Sequence, residues 1–334
     1  MTLKGQKNHF NVKFLKGYGH SISVKDSKII LKDNHDPFSE PQTEEWFVKN
    51  MPYEKIVLSG KGYISTEALS LLSQNNRNVI LLDNHGKPVS FCNGMMDSLT
   101  GTKYRMAQYD TFRNELKCQY LTKQIISAKK ESQLKLLKLI GSEVTELPDR
   151  ESSSAIIYFR EYAKFIPEKY EFHSRNQSHI RISKNNATDI INALLNYGYS
   201  VLAGEISKFV CGIGLDPYFG FMHKPHTGFQ PLVYDLIEPF RWLVDYSVYK
   251  IANNKEKRNR IKLKDYNHTK DGNVVIEYDL IRRFLELLER QFSQERKYNF
   301  RHGKKTNDGL KSVQEITIAK ILVQNIAEYC KNNS

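Results

Sequence analysis

Residues 215–241, LDPYFGFMHKPHTGFQPLVYDLIEPFR, join a histidine on a turn-rich loop to an acidic helix. His223 follows aspartate, proline and glycine turn signals, and a polar loop separates it from Pro231. Pro231 predicts the start of a helix, because proline is accepted in the first helical turn. Asp235 and Glu238 are three residues apart on that helix, so we expect their carboxylates on one face.

A loop histidine that faces two carboxylates on a helix can hold a divalent metal ion. Imidazole and oxygen ligands together suit Mn²⁺ or Mg²⁺ better than a zinc site built from thiolates. The alternative interpretation is a helix with two solvated acids and a histidine that makes local hydrogen bonds. The residues of this stretch alone favour the alternative, because histidines and carboxylates at these spacings are common.

The composition favours a large protein with a polyanionic partner. The 334 residues suffice for one large domain or two, and the 40% of hydrophobic residues can bury a core. The net charge of +13 favours nucleic acid or an anionic membrane as the partner. The membrane is disfavoured, because no window approaches the ~20 apolar residues of a spanning helix and no apolar signal segment is evident. Four scattered cysteines without a C-x-x-C spacing predict a reducing, cytoplasmic location.

Hydrophobic periodicity divides the chain into a β-rich part and a helical part. Residues 1–91 alternate apolar and polar side chains, with hairpin turns predicted at Gly17–Gly19 and Asp26–Ser27, so we predict an N-terminal β-rich domain. Residues 92–101, CNGMMDSLTG, are small and polar and predict a linker. Residues 102–334 show helical spacing in successive segments. The predicted fold class is therefore α+β, with a β-rich domain followed by an all-α domain.

Two segments of the helical part combine strong positive charge with few or no acids. Residues 255–264, KEKRNRIKLK, hold six lysines or arginines and one acid. Residues 296–305, RKYNFRHGKK, hold five lysines or arginines and no acid, with Tyr298 and Phe300 between them. Basic residues interleaved with aromatics are typical of surfaces that bind a phosphate backbone and stack on its bases. We predict nucleic-acid binding for the second segment, whereas a solvated charge run is an equal interpretation for the first.

Metal-binding acids in a basic protein together indicate phosphodiester chemistry. A divalent metal polarises the phosphoryl oxygen and positions the attacking hydroxyl, while lysines and arginines attract the polyanion. Such a site needs a further ligand from elsewhere in the chain. The residues alone do not identify that ligand among the 37 acids.

Four blocks follow one another in a fixed order along nearly the whole chain. They are LSGKGYISTEALSLLSQNNRNVILLDNHGKPVSF (58–91), ESSSAIIYF (151–159), NALLNYGYSVL (192–202) and GLDPYFGFMHKPHTGFQPLVYDLIEPFR (214–241). Taken together, they resemble the CRISPR-associated integrase and endonuclease family, the universal protein of spacer acquisition. The resemblance implies an N-terminal β-rich dimerisation domain and an all-helical catalytic domain.

The resemblance also implies the catalytic site. Glu151, His223 and Glu238 match the metal ligands of the family, and Asp235 matches an adjacent acid that supports the site. The implied cofactor is Mg²⁺ or Mn²⁺. From its position three residues after His223, His226 is an alternative ligand, but we favour a role as a DNA-facing or solvated residue for it. For Glu151 the alternative role is that of an acid stabilised by the helix dipole.

The activity that the resemblance implies is metal-dependent cleavage and joining of DNA in CRISPR adaptation. Free 3′-hydroxyl ends of short DNA fragments would join the repeat by transesterification, and double-stranded and branched DNA would be the substrates. The implied assembly is a homodimer that binds a small ferredoxin-like CRISPR-associated partner protein, away from any membrane. The predicted DNA contacts are Tyr197, Arg175, Arg181, Arg301, Lys304 and Lys305.

Two alternatives remain. A transposon-encoded integrase of the same family would use the same chemistry on a mobile element. Such relatives carry an extra C-terminal DNA-binding module, and the last predicted helix ends near the end of this sequence, so we rank this alternative lower. A non-catalytic DNA-binding scaffold would carry a vestigial site, and the four matched positions argue against it.

Overall fold

The computed structural model describes residues 12–33, 40–53, 55–75, 77–82, 88–92, 99–175, 187–224, 230–256, 259–299 and 310–334. A β-sheet region comes first and a mostly helical region follows, which confirms the α+β fold class. The helical region also contains two small two-stranded sheets that the periodicity did not predict.

Six strands form one mixed sheet with the order β3-β2-β1-β4-β5-β6. The strands are β1 (Val12–Lys25), β2 (Lys28–Asp33), β3 (Gln42–Phe47), β4 (Lys55–Ile64), β5 (Asn78–Leu82) and β6 (Pro88–Cys92). β4 pairs in parallel with both β1 and β5, and the other neighbours are antiparallel. Helix α1 (Thr66–Gln74) connects β4 to β5, because parallel neighbours need a crossover. Its N-terminus is capped by Ser65, whose Oγ accepts a 3.1 Å hydrogen bond from the backbone N–H of Ala68.

Of the two predicted hairpin turns, one forms and the other does not. Asp26 and Ser27 both have positive φ and join β1 to β2, as predicted. The turn predicted at Gly17–Gly19 is wrong, because β1 continues through it, with a shift in its register to β4 between Tyr18 and His20. Gly17 instead pairs with Gly60 of β4, where an added Cβ would lie 2.3 Å from the carbonyl oxygen of Gly17. These glycines permit a close approach of two parallel strands.

Eight helices follow the sheet within the residues that the structure describes. They are α2 (Leu99–Phe112), α3 (Glu115–Ile140), α4 (Glu151–Ala163), α5 (Ile190–Ile213), α6 (Pro231–Ile237), α7 (Arg241–Ala252), α8 (Tyr278–Phe292) and α9 (Glu315–Asn333). The two small sheets pair β7 (Tyr266–His268) with β8 (Val274–Ile276) and β9 (Glu295–Asn299) with β10 (Leu310–Gln314). Part of the predicted basic segment 296–305 is therefore a strand, and residues 300–305 lie outside the described residues. No helix in the described ranges is both long and apolar enough to cross a membrane.

The chain divides into two compact units that alternate along the sequence. The first unit comprises the described residues within 1–115, 203–233 and 320–334, and the second those within 116–202 and 234–319. The predicted domain limits at residues 91 and 102 stay a prediction. The last three residues of the predicted linker are helical, because α2 begins at Leu99, and residues 93–98 lie outside the described residues.

In the second unit, large side chains of several helices meet in one core. Tyr158 and Tyr162 of α4, Leu137 of α3 and Phe284 of α8 are all fully buried. Gly198 lets α5 pack closely against α7 and α8, since a Cβ added at Gly198 would lie 2.4 Å from Val244 Cγ1 of α7. The residues predicted for the apolar face of the helix after Pro231 are buried: Leu232, Leu236, Phe240 and Leu243.

Candidate active site

Glu151, the first predicted metal ligand, is the first residue of helix α4. Its N-cap residue, Arg150, makes no side-chain cap, so the N–H groups of the first turn are not satisfied by the side chain of the N-cap residue. The positive end of the helix dipole stabilises a carboxylate there. Its side chain is 47% exposed, so it is accessible to solvent.

Glu238 and Asp235 are both buried, so the interpretation of two solvated acids is wrong. Asp235 is on α6, and Glu238 opens a 3₁₀ turn, Glu238–Phe240, between α6 and α7. Pro239 follows directly, and because proline has no N–H, the α-helical hydrogen bonds of α6 cannot continue through it. Only 4% of the Glu238 side chain is exposed, and Asp235 is fully buried. A buried acid requires compensation by a positive charge or by hydrogen bonds.

A single lysine, Lys129, contacts both Glu151 and Glu238. Lys129 of α3 donates a 2.8 Å hydrogen bond from Nζ to Glu151 Oε1. The same Nζ lies 2.8 Å from Glu238 Oε2. This second contact is an ion pair without hydrogen-bond geometry, and among the described residues this buried oxygen accepts no hydrogen bond. Two carboxylates that are 87 positions apart in the sequence (238 − 151) thus converge on one positive charge.

The surroundings of Glu238 keep its carboxyl ionised. Burial raises its pKa, but the charges of Arg241 and Lys129 outweigh burial and hold the pKa below the ordinary value for glutamate. Arg241 Nη1 donates a 2.8 Å hydrogen bond to Glu238 Oε1. Burial lowers the pKa of Arg241, yet the neighbouring carboxylate raises it above the ordinary value. Each oxygen of Glu238 therefore faces its own cation.

A buried polar network holds Arg241 in place. Its guanidinium lies 4.0 Å from the ring centroid of Tyr199, a cation–π contact. Tyr199 and Tyr158 each donate a hydrogen bond from Oη to the carboxylate of Asp245. Burial raises the pKa of Asp245 above the ordinary value for aspartate, although the two hydrogen bonds lower it. The network fixes the ring against which Arg241 packs, and with it the position of Glu238.

The helical pattern of α3 contains a signal for Lys129 that the sequence analysis missed. Leu121, Ile125, Lys129, Gln133 and Leu137 recur every four residues, so each lies beside the next in a stripe that winds slowly around the helix. The apolar residues and the glutamine of this series are buried, and the lysine is only 13% exposed. A lysine on the buried stripe of a helix requires an acidic partner. The pattern does not say which acid that partner is.

His223 follows a loop of the first unit. The side chain of a glutamine in α2 holds this loop through hydrogen bonds to the loop backbone. The amide of Gln108 is fully buried, and its Nε2 donates hydrogen bonds to the carbonyl oxygens of Asp216 (2.9 Å) and Phe219 (2.7 Å). Its Oε1 accepts a 2.8 Å hydrogen bond from the backbone N–H of Asp216. Tyr109 adds a 2.7 Å hydrogen bond from Oη to Asp216 Oδ2. Three residues separate Phe219, the last clamped residue, from His223, so Gln108 fixes the approach to the predicted histidine ligand.

The structure places the predicted ligands in different units. Glu151 and Glu238 lie in the second unit, whereas His223, which is partly buried, lies in the first. Within the described part of the chain, no three histidine, cysteine, aspartate or glutamate side chains form a group that could hold a metal ion. His226 lies outside the described residues. The three-residue ligand set stays a prediction from the resemblance.

The donor atoms of the acid pair do fit a divalent cation. Oxygens of Glu151 and Glu238 already share one ammonium at 2.8 Å each, and Lys129 stands where a cation would be held. Carboxylate oxygens are the ligands that Mg²⁺ and Mn²⁺ prefer. Glu151 has a second carboxylate oxygen besides the one that Lys129 contacts, and Oε2 of Glu238 accepts no hydrogen bond among the described residues, so both carboxylates can ligate.

The predicted DNA contacts are described only in part. Arg175 donates hydrogen bonds to Asn192 Oδ1 (2.6 Å) and Asn196 Oδ1 (2.8 Å), so its guanidinium is occupied by contacts within the protein. Tyr197 is partly buried, with its ring centroid 6.5 Å from that of Phe284. The other predicted contacts lie outside the described residues: Arg181, Arg301, Lys304 and Lys305. Their role in DNA binding stays a prediction.

Comparison with protein families gives a match over most of the chain. The family described as CRISPR associated protein Cas1 matches residues 14–149 and 141–290. A curated relative, the CRISPR-associated endonuclease Cas1 1 of Archaeoglobus fulgidus, is 29% identical over 264 residues. That alignment covers 67% of this chain and 73% of the relative.

Solved structures resemble the chain along almost its whole length. A casposase bound to an integration product superposes with a TM-score of 0.72 and 25% identity, covering 97% of this chain and 96% of the casposase. A chain of a partial Cas6-RT-Cas1–Cas2 complex superposes with a TM-score of 0.65 and 18% identity, covering 97% of this chain and 96% of that chain. At this identity the second likeness establishes the fold alone.

Proposed function

Because this chain belongs to the Cas1 family of CRISPR-associated proteins, we propose that it is a metal-dependent DNA endonuclease and integrase of CRISPR adaptation. In the joining reaction, the 3′-hydroxyl oxygen of a DNA fragment attacks a phosphodiester at the repeat boundary. One phosphorus–oxygen bond forms as another breaks, and the leaving strand keeps a 3′-hydroxyl. Cleavage is the same displacement with water as the nucleophile.

One observation supports this proposal above the others. Glu151 and Glu238, which come from different elements, both lie 2.8 Å from Nζ of Lys129. A structural ion pair needs only one acid. Two acids at one cation, one of them buried and kept ionised by a further arginine, make the oxygen-rich site that phosphodiester chemistry with a divalent metal requires.

Each residue has a distinct role in the proposed mechanism. Glu151, His223 and Glu238 would hold Mg²⁺ or Mn²⁺, which when bound polarises the phosphoryl oxygen and stabilises its developing charge. Arg241 keeps Glu238 ionised and oriented through their 2.8 Å hydrogen bond. Glu151, with its half-exposed side chain, faces the solvent from which DNA approaches. Asp235 remains the adjacent supporting acid that the resemblance implies.

The proposed partners are double-stranded and branched DNA and a small CRISPR-associated protein. The structural relatives include a casposase with an integration product and a complex that contains Cas2. The net charge of +13 supports a polyanionic partner. The ferredoxin-like fold of the partner protein, the homodimer and the cytoplasmic location remain predictions.

The experiment that tests the function is an integration assay. A short duplex with free 3′-hydroxyls is incubated with a supercoiled plasmid that carries a CRISPR repeat, in Mg²⁺, in Mn²⁺ and in chelator. We expect joining only with metal, and a loss of at least 100-fold in Glu151→Ala. Asp149→Asn is the matched control, because the exposed Asp149 pairs with the neighbouring Lys130 at 2.8 Å. Joining in chelator, or equal activity of Glu151→Ala and Asp149→Asn, would refute the assignment.

A second candidate, a mobile-element integrase, is favoured by the likeness to the casposase. The same assay separates the two candidates when it is repeated with a plasmid that lacks the repeat. Joining confined to the repeat boundary supports CRISPR adaptation. Joining that does not depend on the repeat supports the mobile-element integrase, and tight DNA binding without any joining supports the non-catalytic scaffold.

A further inference from the structure

Lys129 occupies the position between the two acids that the proposed metal would need. We propose that Lys129 is a resident cation, which neutralises Glu151 and Glu238 in the metal-free protein and which a divalent metal must displace in order to bind. Lys129 would then set the metal affinity of the site. This inference rests on the proposed function.

The contacts of Lys129 differ from those of the next lysine on the same helix. Lys129 is 13% exposed and makes two acidic contacts at 2.8 Å, one of them to the buried Glu238. Lys130 is 17% exposed but makes its 2.8 Å contact with Asp149, which is fully exposed. Ion pairs with an exposed partner contribute little, whereas a buried carboxylate depends on its counter-charge. The helix therefore carries a structural surface pair and, one residue away, a buried charge that neutralises the acid pair.

The two cations around Glu238 are not equivalent. Arg241 holds Oε1 by a hydrogen bond and packs against Tyr199, so its guanidinium is fixed from two sides. Lys129 contacts Oε2 without hydrogen-bond geometry. Its ammonium is at the end of a flexible four-carbon chain, so it can leave while α3 stays in place. Oε2 of Glu238 and the carboxylate of Glu151 are thus the oxygens that Lys129 shields and that a metal would take.

Charge balance makes the displacement necessary. The two carboxylates are matched by Lys129 and Arg241, so the metal-free group is neutral. A divalent ion placed on the same oxygens would face the ammonium at a few ångströms, where like charges repel strongly at the low effective dielectric of a partly buried site. With Lys129 displaced, the ion meets two carboxylates and a single arginine. A metal therefore binds only by competing with the lysine.

The test is a titration of the full-length, metal-free protein with Mn²⁺, with the free ion measured by electron paramagnetic resonance. We expect Lys129→Met to bind Mn²⁺ about tenfold more tightly than the parent, because the competing charge is gone. Lys130→Met is the matched control and should bind like the parent. Equal or weaker binding by Lys129→Met than by Lys130→Met would overturn the proposal.

A second variant keeps the test decisive if Lys129→Met does not fold, which circular dichroism would show. Lys129→Arg retains the charge, but its planar fork holds two carboxylates more firmly than an ammonium does. We expect this variant to bind Mn²⁺ several-fold more weakly than the parent. Binding as tight as that of the parent, or tighter, would overturn the proposal.

The outcomes also separate this inference from the proposed function. If Glu151→Gln abolishes Mn²⁺ binding while the Lys129 variants bind like the parent, the metal site stands and the resident cation is refuted. If neither the parent nor Lys129→Met binds Mn²⁺, both are refuted. Binding by Lys129→Met when the parent binds too weakly to measure would support both.

Discussion

The two regions that carry the predicted site residues are held in place by different forces. In the second unit, Glu151 and Glu238 are positioned by the charges of Lys129 and Arg241. In the first unit, the loop before His223 is positioned by the neutral amide of Gln108, through three hydrogen bonds to backbone atoms. Ion pairs hold the acid pair in place, whereas hydrogen bonds from a neutral side chain hold the loop.

The difference matches the proposed roles of the two regions. Charged side chains hold a carboxylate ionised and leave it able to exchange its cation, which the proposed function requires of the acid pair. A neutral amide that bonds to backbone carbonyls fixes the path of a loop without adding any charge near His223, which in the proposed function would ligate as a neutral imidazole. Removing a charge should therefore destabilise the acid pair, whereas removing the hydrogen-bonding amide should destabilise the loop.

The largest effect should come from removing the charge of Glu238. Glu238→Gln keeps the shape of the side chain but leaves Lys129 and Arg241 without their buried counter-charge. We expect the free energy of unfolding of the metal-free protein to fall by about 3 kcal/mol, and DNA joining to be lost. Urea denaturation in the presence of chelator measures the first effect, and the integration assay measures the second.

The double variant Glu238→Gln/Lys129→Met tests whether charge is the cause. If charge positions this region, Lys129→Met should lower the free energy of unfolding less in the Glu238→Gln variant than in the parent. The coupling energy between the two substitutions should be about 1 kcal/mol or more. Glu161→Gln is a control on α4, because Glu161 pairs with the exposed Lys164 at 2.6 Å and should lose less than about 1 kcal/mol. Additive losses would contradict the electrostatic account.

The next effect should come from removing the amide of Gln108. Gln108→Leu fills a similar volume but leaves the N–H of Asp216 and the carbonyl oxygen of Phe219 without their partner, and the carbonyl oxygen of Asp216 keeps only the 3.4 Å hydrogen bond from the N–H of Phe219. We expect a loss of about 2 kcal/mol in the free energy of unfolding. Because no net charge is involved, the loss should be the same at low and high salt, whereas the coupling of Glu238 with Lys129 should weaken with salt.

Gln74→Leu is the control for the loop, because the exposed Gln74 makes a single 3.4 Å hydrogen bond to Ser70. It should change the free energy of unfolding by less than about 0.5 kcal/mol. If Gln108→Leu is no worse than this control, or if its effect depends on salt, the loop is not positioned as the structure indicates.

The parts of the fold that were predictable from the sequence are those set by local signals. The hairpin at Asp26–Ser27 and the helices that begin at Glu151 and Pro231 follow from residues close by in the chain. The glycines at Gly17–Gly19 were misinterpreted because their partner, Gly60, is on a strand more than forty positions away. Pairing between distant parallel strands leaves no turn signal near either strand.

The site shows the same limit. The resemblance predicted Glu151 and Glu238 as ligands, and the helix pattern contained a buried position at Lys129, but no local rule joins a lysine to acids that follow it by 22 and 109 positions (151 − 129 and 238 − 129). Gln108 left even less signal. Nothing distinguishes a glutamine that clamps a loop from a solvated one until the packing is known.

The smallest effect concerns Glu44, a charge-held acid of the N-terminal sheet that has no second acid beside it in the described contacts. Lys13 Nζ lies 2.6 Å from its Oε1, and Trp46 and Tyr53 each donate a 3.0 Å hydrogen bond to its Oε2. Burial raises the pKa of Glu44, but these three groups outweigh burial and hold the pKa below the ordinary value of 4.5. Correspondingly, the pKa of Tyr53 is raised to about 12 by burial and by the charge of Glu44.

We expect Glu44→Gln to lower the free energy of unfolding by about 1 kcal/mol at neutral pH. A carboxyl whose pKa is lowered by folding stabilises the folded state above its unfolded pKa, and that stabilisation is lost as the pH falls through the folded value. The difference between parent and variant should therefore be constant above pH 4.5 and shrink below it. Urea denaturation across this range measures it. Because Lys13 pairs with a single acid in the described contacts, Mn²⁺ should leave the difference unchanged, whereas it should stabilise the parent relative to Glu238→Gln. If Mn²⁺ stabilised the parent relative to Glu44→Gln as much as relative to Glu238→Gln, a second acid beside the first would not be needed for metal binding.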